Sequence, residues 1–179
     1  MQGRADLPLS AAGRAKVRRW RLPAAWTRAR WLSSSLRRAT ETAALLTDGP
    51  VAIEPRLIEM DWGACEGRTL AELRAEAPDA MAANEVRGLD FRPDGGESPR
   101  EVRARLESLL ADLAPGPDAI LVTHKGVIRA AVSLATGWDM TERPPLRLAD
   151  DVALVLHGRA CGRPALGPVI PLAAGRPGP

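Results

Sequence analysis

The sequence predicts an α/β fold, a three-layer α/β/α sandwich with a mostly parallel central sheet. Three observations carry that expectation. Short apolar runs at 29–32, 51–53 and 119–123 alternate along the chain with segments of helical periodicity. The stretch 98–113 has one apolar face, as a helix laid on a sheet requires. The chain of 179 residues, 45% hydrophobic and 26% charged, fills one globular domain and is too short for two ordinary ones. The expected organisation is therefore a single domain over residues 1–179.

The elements follow in chain order. Ser10 stands where a helix N-cap belongs, and the helix runs through Lys16 to Trp20 until Pro23 ends it. The apolar run Ala29 to Leu32 leads through three serines into a helix from Leu36 to Leu46. Asp48-Gly49-Pro50 stops that helix, and Val51 to Ile53 resumes as a strand. Thr69 with Glu72 spells a capping box for a helix that Pro78 interrupts, and a looser helix covers Asp79 to Val86. After the loop R-P-D-G-G-E, Ser98, Pro99 and Glu101 give the strongest helix start in the chain. Val102, Leu106, Leu109, Leu110 and Leu113 then recur at helical spacing. Pro115-Gly116-Pro117 ends this helix, a strand covers Ala119 to Thr123, and a last helix runs from about Gly126 to Gly137. Val152 to Leu156 and Pro164 to Leu172 read as two final strands around the turn G-R-A-C-G-R-P. No internal repeat is present.

Composition narrows the function. No apolar run is long enough to cross a bilayer and the N-terminus has no signal-peptide core, so a cytoplasmic protein without a membrane partner is expected. Cys65 and Cys161 make no disulfide framework and no metal-like spacing, so no metal is expected. The sequence pI near 9.5 rests on scattered arginines. Only Lys16 and Lys125 are lysines, and the abundance of Arg, Ala, Gly and Pro reads as the bias of a GC-rich gene. Such charge describes a solvated surface, and no nucleic-acid partner is expected.

Three stretches carry chemistry. In S-S-S-L-R-R-A-T-E-T-A, residues 33–43, Arg38 lies in the first turn of a helix whose N-terminus offers free N–H groups. That pairing suits a phosphate dianion, and it equally suits an ordinary capped surface helix. In R-L-I-E-M-D-W-G-A-C-E-G-R-T, residues 56–69, Glu59, Asp61 and Glu66 stand among apolar residues beside Trp62. A carboxyl shielded from water stays protonated to higher pH and can act as a general acid; the alternative is a loop of solvated or arginine-paired acids. In A-I-L-V-T-H-K-G-V-I-R-A, His124 ends a strand just before a helix, a place for catalysis or for a packing histidine.

Together, S-S-x-L-x-R-A-x-x-T-A, E-x-D-W-G-x-C-E-G, G-G-E-S and V-T-H-x-G-V-I-R, in that order, resemble the histidine phosphatase superfamily with its phosphoglycerate mutase-like fold. The resemblance runs from Gln2-Gly3 to about Gly137. It implies that Arg38 binds the phosphoryl group, that Glu59 is the proton donor and that His124 is the second histidine of the phosphate pocket. It also implies that the Gln2-Gly3 loop lines the site, and that a small phosphorylated substrate is handled without metal or other cofactor. Glu41 stands where the family often has glutamine, and Lys125 where glycine is common. Lys125 either adds a cation at the pocket rim or simply faces solvent.

The family's nucleophile is a histidine in an Arg-His-Gly motif that ends the first, central strand, just upstream of the segment matched by Gln2-Gly3. The resemblance therefore places the first strand and the nucleophile outside this chain, with Met1 an internal methionine of a longer protein. His157, in V-L-H-G-R, is the one candidate stand-in and has the wrong residue order. The expected activity is a phosphomonoesterase working through a phosphohistidine intermediate. A phosphoglycerate mutase is less favoured, because the stretch from Glu59 to His124 lacks the inserted segments that mutases of the family carry. The other alternative is a truncated member that binds phosphorylated ligands without turnover.

Overall fold

A computed structural model describes residues 1–114, 116–147, 149–158 and 163–172 of the chain. Pro115, expected to help end a helix, and residues 159–162 of the expected last turn, Cys161 among them, lie outside the described residues. So do residues 173–179.

Three helices begin where their capping residues predict. α1 (Ala11–Val17) is capped by Ser10, whose Oγ accepts from Gly13 N. It is shorter than expected, because Arg21 N donates to Leu172 O and draws the backbone after Val17 out of the helix. α3 (Leu70–Glu76) and α5 (Pro99–Leu113) both start in complete capping boxes, Thr69 with Glu72 and Ser98 with Glu101. α4 (Pro78–Glu85) opens on the proline expected to interrupt its predecessor. α2 (Arg37–Leu46) has no local side-chain cap. Its first N–H, from Arg37, donates instead to Asp6 Oδ1 at 2.7 Å, a cap from a distant loop. α6 (Lys125–Thr136) closes on Gly137, whose φ of +80° gives the left-handed C-terminal turn.

β1 (Arg30–Ser33), β2 (Val51–Ile53) and β3 (Ala119–Val122) form a parallel sheet in the order β2-β1-β3. β1 sits one residue later than the apolar run suggests, because Ser33 is a fully buried strand residue rather than part of a serine loop. Leu32 faces a core built with Leu57, Met60, Leu106, Leu109 and Val127. Side chains alternate along a strand, so Trp31 and Ser33 point to the opposite face, and α2 packs on β1 and β3. β4 (Val152–His157) and β5 (Ala165–Pro171) make a separate antiparallel sheet. Among the described residues β3 pairs only with β1, and β4 only with β5.

Registry places the site. Ser33 lies opposite Val122, and Ser34 N donates to Val122 O at 2.9 Å. The residues that follow both strands, Ser34 and Thr123-His124, are thereby adjacent at the carboxyl end of the sheet, where ligands of parallel sheets sit. No helix among the described residues is long and apolar enough to cross a membrane.

Candidate active site

His124 is the N-cap of α6 and only 8% exposed. Its Nε2 lies 2.7 Å from the Oγ of Ser34, which is fully buried. Burial, followed by the positive charges of Arg38 and Arg105, lowers the imidazole pKa from 6.5 to about 3. The ring is therefore neutral at physiological pH.

Glu59 reaches the same helix start from the other side. Its Oε1 accepts the amides of Met60 at 2.9 Å and Gly126 at 3.1 Å, and Oε2 lies 3.3 Å from Gly126 N. Burial pushes its pKa up, opposed by the two backbone amides and by the charges of Arg38 and Arg105. The upward push prevails, which suits a carboxyl that must hold a proton. Gly126 is required for this contact, since a Cβ there would collide with Glu59 Oε1.

Arg38, in the first turn of α2, points its guanidinium at the N-terminal loop. Nη1 donates to Ala5 O at 2.8 Å and Nη2 to Gly3 O at 2.7 Å. The loop is held from its other edge by Glu66, whose Oε1 accepts from Arg4 N at 2.6 Å and Oε2 from Ala5 N at 3.2 Å. Gly3 is buried with φ +51°, and a side chain there would collide with the Glu66 carboxylate. Gln2 is exposed and contributes its carbonyl to a turn with Ala5 N. Lys125 is exposed at the first position of α6, directly after His124.

The remaining candidates divide sharply. Of the three acids in the second stretch, only Glu59 has the shielded environment of a proton donor. Asp61 accepts from Gly63 N at 2.8 Å and pairs with Arg4 at 3.2 Å, while Glu66 works on loop amides. Trp62 stacks at a tilt on Phe91, ring centroids 5.8 Å apart. His157 is exposed at the end of β4, in register with Ala165 of β5. Sequence reasoning placed the triple serine near His124 without giving Ser34 a role, and it missed Arg105. Arg105 donates to both Glu97 oxygens, at 2.8 and 3.1 Å, and to Arg56 O, and its charge acts on both Glu59 and His124. Nothing local marks it: it is one of several arginines on α5. Among the described residues no three His, Cys, Asp or Glu side chains gather into a metal site.

A buried neutral histidine, a carboxyl whose pKa burial raises and a guanidinium fork at a helix start are the parts of a phosphoryl-handling site. Comparison with known proteins agrees. The profile described as histidine phosphatase superfamily (branch 1) matches residues 1–166. Glucosyl-3-phosphoglycerate phosphatase of Mycolicibacterium vanbaalenii is 36% identical over 188 positions, covering 92% of this chain and 80% of that protein. Fructose-2,6-bisphosphatase of Saccharomyces cerevisiae is 29% identical over 73% of this chain, and the match spans only 28% of the yeast protein. A 2,3-bisphosphoglycerate-dependent phosphoglycerate mutase of Methylobacterium radiotolerans is 32% identical over 69% of this chain and 63% of its own length. The native structure of a mycobacterial glucosyl-3-phosphoglycerate phosphatase superposes with a TM-score of 0.77 at 30% identity, covering 97% of this chain and 92% of that one.

Proposed function

The chain belongs to the histidine phosphatase superfamily, and on that premise we propose that it supplies the acid and phosphate-binding side of a phosphomonoesterase site. The observation that carries the reading is the meeting of Arg38, Glu59 and His124 at one end of the sheet, with the carboxyl biased toward its protonated form. The nucleophilic histidine belongs, on this reading, to a strand preceding Gln2-Gly3. Among the described residues β3 pairs only with β1, so its other edge is open to such a strand.

The chemistry follows in two steps. The histidine nitrogen attacks phosphorus, a P–N bond forms, and the ester P–O bond breaks as Glu59 gives its proton to the leaving oxygen. Glu59, now ionised, takes a proton from water, whose oxygen attacks phosphorus. The P–N bond breaks and inorganic phosphate leaves. Arg38 and His124 donate to the equatorial oxygens throughout, which stabilises charge where it concentrates. Arg38 must exchange its carbonyl partners in the Gln2–Ala5 loop for phosphoryl oxygens, so that loop senses occupancy.

The substrate class is a small phosphorylated molecule, as the names of the relatives describe for those proteins. A phosphatase is preferred to a mutase because only α3, α4, a short 3₁₀ turn, α5 and β3 lie between Glu59 and His124 beyond its own loop. The reading takes residues 1–179 as the larger part of one domain acting in the cytoplasm. A nucleic-acid role is disfavoured, because Arg14, Arg56, Arg74, Arg100 and Arg105 are engaged by carboxylates of the same chain.

The test is hydrolysis of p-nitrophenyl phosphate by a protein translated in frame from upstream of Met1, compared with residues 1–179 alone. Only the extended protein should turn over, and Arg38→Ala and His124→Ala should each lower its rate by about a hundredfold or more. Unchanged rates in both variants would show that the pocket lies elsewhere. An inactive extended protein that still binds phosphate through Arg38 would favour the binding-only reading.

A further inference from the structure

Ser34 has a part in this site that neither the motif reading nor the proposed chemistry uses. Its Oγ stands between two groups: Leu36 N–H, 3.3 Å away, and His124 Nε2, 2.7 Å away. The serine is fully buried, so water does not complete its hydrogen bonding. A hydroxyl has one proton to give and lone pairs to receive. The Leu36 amide can only donate, so it takes a lone pair. Among the described residues the one remaining contact of Oγ is His124 Nε2.

Two arrangements are open at that contact. If Nε2 carried the proton, the serine hydrogen would be left in a buried space without an acceptor, a costly arrangement. If Ser34 donates to a bare Nε2, every group in the chain from Leu36 N–H through Oγ–H to Nε2 is satisfied. The neutral ring then carries its proton on Nδ1, which makes no hydrogen bond to another described residue and is not among the fully buried unpaired atoms.

We propose that Ser34 is a positioning residue that fixes His124 as the neutral Nδ1–H tautomer, so that His124 meets a phosphoryl oxygen as a hydrogen-bond donor and not as a cation. The surroundings support it. Arg38 from α2 and Arg105 from α5 present positive charge to the ring, and Glu59, which faces the same helix start, is held toward its neutral form. The two guanidiniums oppose a second proton on the imidazole, a neutral Glu59 does not favour one, and the guanidiniums already supply the fixed positive charge a dianion needs. This inference rests on the phosphate-pocket reading for its ligand but not for its tautomer.

The experiment uses residues 1–179 with ¹⁵N-labelled histidine, and inorganic phosphate as the probe. Ring ¹H–¹⁵N correlations should show His124 with a proton-bearing Nδ1 and an acceptor-type Nε2, unchanged from pH 8 to pH 5. Ser34→Ala should give a mixed or inverted tautomer and weaken phosphate binding about five- to tenfold. Ser34→Thr, which keeps the hydroxyl, should restore the wild-type ring signature. Ser33→Ala, which removes a neighbouring buried hydroxyl that donates to Ser34 O instead, should leave the ring alone. A proton on Nε2 in the wild type, or an unaltered tautomer in Ser34→Ala, overturns the proposal even if phosphate binds. The expected tautomer with no phosphate-dependent shift at His124 instead refutes the phosphate pocket, and with it the ligand half of the proposal.

Discussion

Replacing His124 by glutamine should make the protein markedly more resistant to acid. The folded pKa of His124 is lowered from 6.5 to about 3. Between those two values the unfolded chain binds a proton that the native chain refuses. Stability that is complete above pH 6.5 is therefore lost progressively as pH falls, by about 1.4 kcal/mol per pH unit. At pH 4 the loss from this residue alone is on the order of 3 kcal/mol, a large share of a margin of about 5–15 kcal/mol. Glu59 acts in the opposite sense: its pKa is raised, so its contribution is present below 4.5 and is lost as pH rises through the folded value. Glu59 is common to both proteins and cancels in the comparison. The substituted glutamine keeps a polar group facing Ser34 but cannot charge. Urea unfolding of both proteins at pH 7 and pH 4 measures the difference, and the gap between them should shift by roughly 3 kcal/mol in favour of the variant. Parallel loss of stability in the two would mean that His124 is free to protonate in the fold, and the burial argument would fail.

Two further outcomes follow from the site geometry. Gly126→Ala places a Cβ against Glu59 Oε1 and within 3.3 Å of Met60 Cβ. It should cut turnover of the extended protein more than tenfold, although alanine favours a helix by about 1 kcal/mol; retained activity would show that Glu59 does not need its Gly126 contact. Glu66→Ala removes the acceptor for the amides of Arg4 and Ala5, so those two amides should exchange with solvent faster while the α5 core amides do not. Unchanged exchange would mean that the loop's other contacts, through Arg38, the Arg4–Asp61 pair and Asp6, hold it without Glu66.

The sequence disclosed what is local. Both capping boxes, the proline that opens α4 and the glycine that closes α6 are short-range signals, and each element begins or ends where they stand. Local signals failed where a distant partner decides. α1 stops early because Arg21 bonds to Leu172, and α2 borrows its cap from Asp6. β1 takes in Ser33 because its polar side chain donates to Ser34 O inside the fold. The same holds for the site. Motif order is enough to single out Arg38, Glu59 and His124 as candidates, and the fold brings Glu59 and His124 together at the start of α6. That Ser34 orients His124 across 90 residues, and that Arg105 lends charge to both acid and imidazole, are properties of the packed structure. No spacing along the chain encodes them.

The proposed role of Glu59 as proton donor to the leaving oxygen is tested most directly by leaving-group dependence. In the protein extended upstream of Met1, Glu59→Gln keeps the shape of the side chain and removes its proton. Hydrolysis of an alkyl phosphate, whose alkoxide must be protonated as it departs, should fall by about 10²–10⁴-fold. Hydrolysis of p-nitrophenyl phosphate, whose leaving group departs readily as an anion, should fall far less. Equal losses on both substrates, or no loss on the alkyl ester, would contradict the role assigned to Glu59.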